Sequence, residues 1–316
     1  MFFVDAWISV FHHLSFNNLV FLETVSRNFH HLVRNVNWKC RLDINVYINT
    51  EIYGYKIDNI QFSHCDINEF VSTNLQKMNI KIMILKKCLV TKTDFSMLKN
   101  IKSFRMLEMT DVDGTKLSEL HDCEHITLYE SKVSNYEFLN LPKLSYITLV
   151  SDVISDTDVD IIINFCRIQT FALDSCKLIS DHGLEKLSSS SLLQQIYIYH
   201  CDKITSDGIT NIINKDTLQI LSFSGVINDD FCKKLPNIKY LTSLNLASST
   251  IGNIDIKYIS KCKLLKKLYL GDSSANNDGI KYLKKLNLKK LTLLSMPNID
   301  DNALQYISHI KNLSLC

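Results

Sequence analysis

The stretches IQTFALDSC at 168–176 and LQQIYIYHC at 193–201 decide the fold of this chain. In each stretch the first, fourth and sixth residues are apolar, other side chains stand between them, and a cysteine closes the frame. Alternation with a period of two is typical of a β-strand that buries one face. The two stretches therefore predict short strands in successive copies of one structural unit.

The nine-residue frame recurs through most of the chain. Adjacent copies start about 23 residues apart, a spacing typical of stacked repeats in which no single unit can bury its apolar face alone. The copies lie at 57–65, 80–88, 101–109, 123–131, 144–152, 168–176, 193–201, 218–226, 241–249, 265–273 and 288–296. Ile310, Leu313 and Leu315 predict one further strand after the last copy.

The second half of each repeat is patterned as well. In ISDHGLEKL at 179–187 and ITSDGITNI at 204–212, an Asp precedes apolar residues at helical spacing, which predicts a short helix. An Asp side chain at a helix start accepts hydrogen bonds from the free N–H groups of the first turn. The residues predicted to cap helices in this way are Asp181, Asp207, Asp230, Asp278 and Asp301.

The frame L-x-x-L-x-L-x-x-C, followed by a segment like I-T-D-x-G-L, resembles the leucine-rich repeat of the cysteine-containing subtype. The resemblance covers 57–316 and implies an α/β solenoid with a curved parallel sheet inside and helices outside. It also implies that the ninth-position cysteines are small buried hydrophobic residues. That position holds Cys65, Cys88, Cys176 and Cys201, and in the other copies Met109, Ser131, Asp152, Val226, Ser249, Ser273 and Met296.

Residues 1–45 do not follow the repeat and predict a small domain of three short amphipathic helices, joined to the solenoid by 46–56. The string from Trp7 to Lys39 resembles an F-box, the domain that docks on a Skp-type adaptor. One departure is that Phe2 and Phe3 stand where this family usually opens with Leu-Pro. The residues that the resemblance assigns to the adaptor contact are Phe2, Phe3, Ile8, Phe11, Leu14, Leu19, Leu22, Val25, Phe29 and Trp38.

An F-box followed by leucine-rich repeats resembles the substrate receptor of a cullin-based ubiquitin ligase. Such a receptor performs no bond chemistry; it reaches a cullin through the Skp-type adaptor and holds a protein substrate near the ubiquitin-charged enzyme. The alternative is a stand-alone repeat scaffold in which 1–45 only covers the first repeat. A ligase with its own catalytic cysteine is disfavoured because no long segment lies outside the repeats.

The composition and the absence of known motifs exclude several other functional classes of protein. A net charge of +2 argues against a dedicated nucleic-acid binder, and no run of about 18 apolar residues predicts a membrane span. The ten cysteines contain no CxxC pair, which favours reduced thiols in the cytoplasm or nucleus. Adjacent histidines such as His12 and His13 point in different directions on a helix, so no metal site is predicted. No motif indicates a cofactor or a catalytic residue.

The third, fifth and seventh residues of each frame are expected to face away from the helices. Tyrosine recurs at these positions, and its large, semi-rigid, amphipathic side chain is favoured at binding hot spots. The alternative is that Tyr simply suits a strand. The predicted substrate-binding residues are Tyr129, Tyr146, Tyr197, Tyr199 and Tyr269.

Overall fold

The computed structural model describes residues 37–45, 56–64, 67 and 79–315, with short gaps at 91–94, 97, 99, 111, 132, 166, 189, 214–215 and 229. The chain divides into two compact units, 1–144 and 145–316. In each unit the described strands lie parallel and follow one another in chain order. This arrangement confirms the predicted stack of strand-containing repeats.

The first unit contains five described strands. They are β1 (Asn37–Asn45), β2 (Lys56–Ser63), β3 (Ile82–Lys86), β4 (Ser103–Leu107) and β5 (His125–Tyr129). A single helical turn, α1 (Gly114–Leu117), follows β4, and a 3₁₀ helix (Glu137–Asn140) follows β5. β2 to β5 coincide with the first four predicted frames.

Strand β1 corrects the predicted boundary of the helical domain. Trp38, assigned to the F-box-like segment, lies in β1 and is the register partner of Ile57 in β2. The apolar residues Trp38, Cys40, Leu42 and Ile44 alternate with polar ones, which is a strand period that lacks the L-x-x-L spacing of the frame. The rest of the predicted three-helix domain, 1–36, and the adaptor residues Phe2 to Phe29 lie outside the described residues.

The second unit contains eight described strands and the longer of the described helices. The strands are β6 (Tyr146–Val150), β7 (Thr170–Asp174), β8 (Gln195–Tyr199), β9 (Ile220–Phe223), β10 (Ser243–Leu246), β11 (Lys267–Gly271), β12 (Lys290–Leu294) and β13 (Asn312–Leu315). The described α-helices are α2 (Asp156–Phe165), α3 (Asp181–Leu187), α4 (Ser206–Ile212), α5 (Phe231–Lys234), α6 (Asn253–Ile259), α7 (Asn277–Ile280) and α8 (Leu304–Ile307). Short 3₁₀ helices occupy Leu235–Asn237, Lys281–Lys285 and Asp301–Ala303.

The core of this unit lies between the strands and the helices. The fourth and sixth frame residues point into it, as Ile196 and Ile198 of β8 do, and both are fully buried. Helix residues such as Leu184 and Ile209 complete the packing and are also fully buried. Complete burial of each such side chain contributes about 1.5–3 kcal/mol, so the repeated apolar positions account for the fold.

A left-handed residue ends most described strands. Eight non-glycine residues have φ between 45° and 55°, and each directly follows a strand. Ser175 shows the reason, because its N–H donates to the Tyr199 carbonyl of the next strand at 3.0 Å while the chain turns Cys176 into the core. The left-handed residues are His64, Lys87, Glu108, Glu130, Ser175, His200, Asp272 and Ser295.

The ninth position departs from the predicted burial in three described copies, and in one of them, after β12, Met296 is only half-buried. Cys176 and Cys201 are buried as expected, but after β6 the buried residue is Ser151, and Asp152 pairs with Lys177 at the surface. Val226 is 80% exposed rather than buried. The turns after β6 and β9 therefore differ from the others, a shift that an apolar frame does not reveal.

The helix caps differ from the prediction as well. Ser180 and Thr205 are the N-caps of α3 and α4, because their hydroxyls accept from the backbone N–H two residues later. Asp181 instead reaches the next repeat, where Thr205 donates to its carboxylate from N and Oγ1, both at 2.7 Å. Asp230 stands at the N-cap of α5 but accepts no capping hydrogen bond from its side chain.

The same contact recurs along the second unit, and we call it the capping ladder. In each case a side chain near one helix start accepts a hydrogen bond from the N-cap residue of the next helix or, for Asp207, from the side chain of Asn228, two residues before the N-cap Asp230. Its members are Asp156 to Ser180, Asp181 to Thr205, Asp207 to Asn228, Asn253 to Asn276 and Asn277 to Asp300.

The capping ladder explains why two helices have a glycine in their first turn. A Cβ on Gly208 would lie 2.1 Å from Asp181 Oδ1, and one on Gly183 would lie 2.4 Å from Asp156 Oδ1. The Asp side chain of one repeat therefore occupies the space that a side chain at the next repeat's glycine would need. This contact explains why the helix starts read D-H-G-L and S-D-G-I.

Candidate protein-binding surface

The open face of the second unit is the side of its sheet opposite the helices. It is formed by the third, fifth and seventh frame residues, which are half-exposed in β6 and β8 while their neighbours are buried. The strand register places the fifth residues in one continuous row. That row reads Thr148, Ala172, Tyr197, Ser222, Asn245, Tyr269, Thr292 and Ser314.

Tyr197 stands beside small neighbours in this row. Ala172 on one side is nearly buried, and Ser222 on the other side is 1% exposed. The Tyr197 hydroxyl donates to Gln195 Oε1 at 2.9 Å, which fixes the ring orientation. Burial raises the pKa of Tyr197, with smaller contributions from Tyr146 and Tyr199, so the phenol stays protonated and able to donate.

Tyr199 belongs to a hydrogen-bonded cluster that spans three strands. Its hydroxyl lies 2.5 Å from Ser222 Oγ, and Asn245 Nδ2 donates to the same hydroxyl at 3.4 Å. The Asn245 side-chain oxygen accepts from the backbone N–H of Ala247 at 3.0 Å, so the amide is held as well. These bonds fix side chains that would otherwise lose rotamer freedom on binding.

An exposed His–Asp pair borders this cluster. His200 Nδ1 lies 2.8 Å from Asp174 Oδ1, and the His200 backbone N–H donates to Ser224 Oγ at 3.0 Å. The left-handed backbone of His200, with φ of 51°, turns its ring outward, where 72% of the side chain remains exposed. The His200 and Tyr199 ring centroids are 6.4 Å apart.

The five predicted tyrosines are distributed over the two units. Tyr146, Tyr197 and Tyr199 are grouped on β6 and β8, and Tyr269 lies three strands from Tyr197 in the same row, with Lys290 Nζ 5.1 Å from its ring centroid. Tyr129 lies on β5 of the first unit and is 42% exposed. The sequence analysis did not identify Ser222 and Asn245 as part of this surface. Both are fifth residues in the two frames that follow the frame of Tyr197, and this position could have indicated them.

Three of the buried cysteines have the properties of core thiols. Burial raises the pKa of Cys262 and of Cys123 to about 12, and it also raises the pKa of Cys232. A thiol that stays protonated is a poor nucleophile and a poor metal ligand. Among the described residues, no three His, Cys, Asp or Glu side chains are grouped as metal ligands would be.

None of the helices in the described part of the chain has the length and apolar character needed to span a bilayer. The comparisons with known proteins give a fold but no family. No protein-family model matches the sequence, and no curated protein matches it.

Two solved structures similar to the chain are internalins of Listeria monocytogenes strain 4b F2365. Internalin InlF is 17% identical with a TM-score of 0.50, and the match covers 82% of this chain and 87% of that one. Internalin C2 is 21% identical over 64% of this chain and 84% of its own length, with a TM-score of 0.44. The likeness to InlF, together with the repeated strands and helices, shows that this chain has a leucine-rich-repeat fold.

Proposed function

We propose that this protein is a non-catalytic scaffold that binds a protein ligand on the open face of its second unit. The observation that carries the proposal is the cluster of Tyr199, Ser222 and Asn245 beside Tyr197, in which half-exposed aromatic side chains are already held by hydrogen bonds. Tyrosine supplies large contact area with few rotatable bonds, so fixing it in advance lowers the cost of association.

The buried cysteines add support to a binding role. Burial raises the pKa of Cys123 and of Cys262 and leaves these thiols protonated and unreactive, and the polar cluster of the open face offers hydrogen bonds and aromatic surface. A protein ligand would bury the Tyr197 and Tyr199 rings and use the half-exposed Asn245 amide beside them, while buried Ser222 holds the Tyr199 hydroxyl from below. Alanine substitution of a tyrosine that is a binding hot spot costs about 2 kcal/mol or more of binding free energy.

The test is capture of ligands by the full chain and by a Tyr197→Ala, Tyr199→Ala double variant. The matched control is Tyr240→Ala with Tyr306→Ala, which removes two tyrosines outside the open face. We expect the open-face variant to lose ligands that the control retains, with both variants folded by circular dichroism. Equal capture by all three proteins contradicts the proposal.

A second candidate function is the substrate receptor of a Skp–cullin ubiquitin ligase, acting in the cytoplasm or nucleus. It is favoured by the F-box-like landmarks Phe11, Leu14 and Leu22, and it needs the same open face to hold a substrate. Phe2 and Phe3, in place of Leu-Pro, argue for the stand-alone scaffold instead.

Adaptor binding separates the two candidates. A variant that begins at residue 46 would lack the F-box-like segment but also strand β1 and so part of the sheet. Point substitution in the full chain is therefore the sharper design. Purified Skp-type adaptor bound by the full chain and lost with Phe11→Asp and Leu14→Asp supports the receptor. Absence of binding by the folded full chain leaves the scaffold.

A further inference from the structure

Most lysines of the repeats between 81 and 239 pair with a carboxylate, usually in a neighbouring repeat. Examples are Lys102 with Glu124 at 2.9 Å and Lys177 with Asp152 at 2.6 Å. The same holds for Lys81, Lys86, Lys87, Lys143, Lys186, Lys233 and Lys239. These lysines are therefore largely neutralised within the chain.

The lysines that lead into the last three strands are different, and we call them the lysine edge. No ion pair joins any of them to a residue that the structure describes. The stretches 256–271, 279–299 and 302–315 contain no Asp or Glu at all. The lysine edge consists of Lys261, Lys263, Lys266, Lys267, Lys284, Lys285, Lys289, Lys290 and Lys311.

The strand register brings four of these lysines together. Lys267 and Lys290 are register partners in β11 and β12, and the N–H of Lys289 donates to the Lys266 carbonyl at 2.7 Å. Neighbouring strands lie about 4.8 Å apart, so two like-charged pairs stand side by side. Like charges placed directly opposite each other in a sheet are destabilising.

The fold itself does not require lysine at these positions. The same backbone contact, in which one carbonyl accepts from two successive N–H groups of the next strand, recurs upstream with neutral residues. There it joins Gln169 to Gln194 and Gln195, and Gln194 to Gln219. Two pairs of unneutralised lysines therefore add repulsion that other repeats of the same unit avoid.

We infer that the lysine edge binds an acidic segment of a protein partner. This inference rests on the proposed function, because it assigns a negative charge to one segment of the protein ligand that binds the open face. Lys267 and Lys290 are the third residues of their frames, so the edge is continuous with the open face at Tyr269. A run of Asp or Glu placed there supplies the neutralisation that upstream lysines receive from the chain.

The chemistry of the edge favours an acidic protein over a nucleic acid or a lipid surface. All its charges are lysines, which lack the bidentate geometry with which arginine reads bases and phosphates. Nearby aromatic rings are occupied by lysine ammonium groups, as Lys261 is 4.7 Å from the Tyr258 ring centroid and Lys290 is 5.1 Å from that of Tyr269. Stacking of a base on either ring would displace the lysine that contacts it, and Leu264 is the one exposed large apolar residue within 261–290, which is too little for membrane insertion.

The test measures binding of a labelled decaglutamate peptide to the full chain by fluorescence anisotropy. The variant carries Lys266→Gln, Lys267→Gln, Lys289→Gln and Lys290→Gln, matching the glutamines of the upstream repeats. The control, Lys102→Gln, Lys143→Gln, Lys177→Gln and Lys239→Gln, has the same net charge but removes paired lysines. We expect about tenfold or greater weakening in the edge variant and little change in the control.

Three results overturn the inference. The first is no decaglutamate binding by the wild-type chain at low salt, and the second is equal weakening in the two variants, which indicates net charge alone. The third is tighter binding of a duplex DNA or of phosphatidylserine vesicles than of the peptide. None of these results bears on ligand capture by Tyr197 and Tyr199, so failure of this inference is distinguishable from failure of the proposed function.

Discussion

The capping ladder and the lysine edge use charge in opposite ways within the same unit. In the capping ladder, the Asp156 and Asp181 carboxylates accept hydrogen bonds from the next repeat, at distances of 2.6–2.7 Å. In the lysine edge, Lys266, Lys267 and Lys289 have no opposite charge among the described residues. The difference teaches that carboxylates with hydrogen-bond donors inside the chain join neighbouring repeats. Lysines without an opposite charge inside the chain are available to a partner.

The largest expected effect is at Gly208 in the capping ladder. Gly208→Ala places a Cβ 2.1 Å from Asp181 Oδ1 and displaces the carboxylate from Thr205, so we expect a loss of about 2–4 kcal/mol in the free energy of unfolding. The control is Gly252→Ala, whose Cβ would meet no atom closer than 3.6 Å. Urea denaturation measures both, and equal losses contradict the steric account.

Removal of the carboxylate itself is expected to have a smaller effect. Asp181→Ala abolishes two hydrogen bonds to Thr205 and is expected to lower the free energy of unfolding by about 1.5–3 kcal/mol. The control is Asp202→Ala, at an exposed position one repeat along. In an Asp181→Ala background, Gly208→Ala is expected to cost much less, and an additive double variant would argue against direct contact.

Substitution of the lysine edge is expected to reverse the sign of the stability change. The four-glutamine variant removes two like-charged pairs and is expected to raise the free energy of unfolding by up to about 1 kcal/mol. The control with four paired lysines substituted is expected to lose a little stability, because each exposed ion pair contributes weakly. Thermal unfolding at low and high salt measures both, and a clear loss in the edge variant would show that those lysines stabilise the fold.

The smallest expected effect is a pH dependence at Asp300. Hydrogen bonds from the Asn277 side chain and then from the Asn302 backbone hold the pKa of Asp300 below its usual value. A carboxyl with a lowered folded-state pKa contributes stability above its unfolded pKa and loses it as the pH falls through the folded pKa. Thermal unfolding from neutral to acidic pH is therefore expected to destabilise wild type more than Asp300→Asn. Parallel pH curves for the two proteins contradict this prediction.

Much of the repeat architecture could be predicted from the sequence because it depends on local periodicity. Alternating residues such as Phe171, Leu173, Ile196 and Ile198 placed β7 and β8 correctly. The helix caps could not be predicted in the same way, since an Asp near a helix start satisfies either its own first turn or the next repeat. For Asp181, that choice depends on the space that Gly208 leaves for its carboxylate. The two residues are 27 positions apart in the sequence.

The binding surface could be predicted only in part. The face occupied by Tyr197 and Tyr199 follows from strand alternation, but their bonds to Gln195 and Ser222 depend on side-chain reach. The net charge of +2 did not reveal the lysine edge, because the sum of all charges in the chain does not show which lysines have carboxylate partners. Pairing across repeats becomes visible only when residues more than 20 positions apart are brought together.

The left-handed residues at the strand ends provide a route to protein engineering. Glu130 and Ser295 adopt φ of 45° and 48°, a conformation that costs an L-residue roughly 1 kcal/mol and that glycine or asparagine adopts more readily. Glycine or asparagine at these exposed positions changes neither the core nor the open face. Such a thermostabilised background would keep damaging open-face variants folded, so that loss of ligand could be assigned to the surface alone.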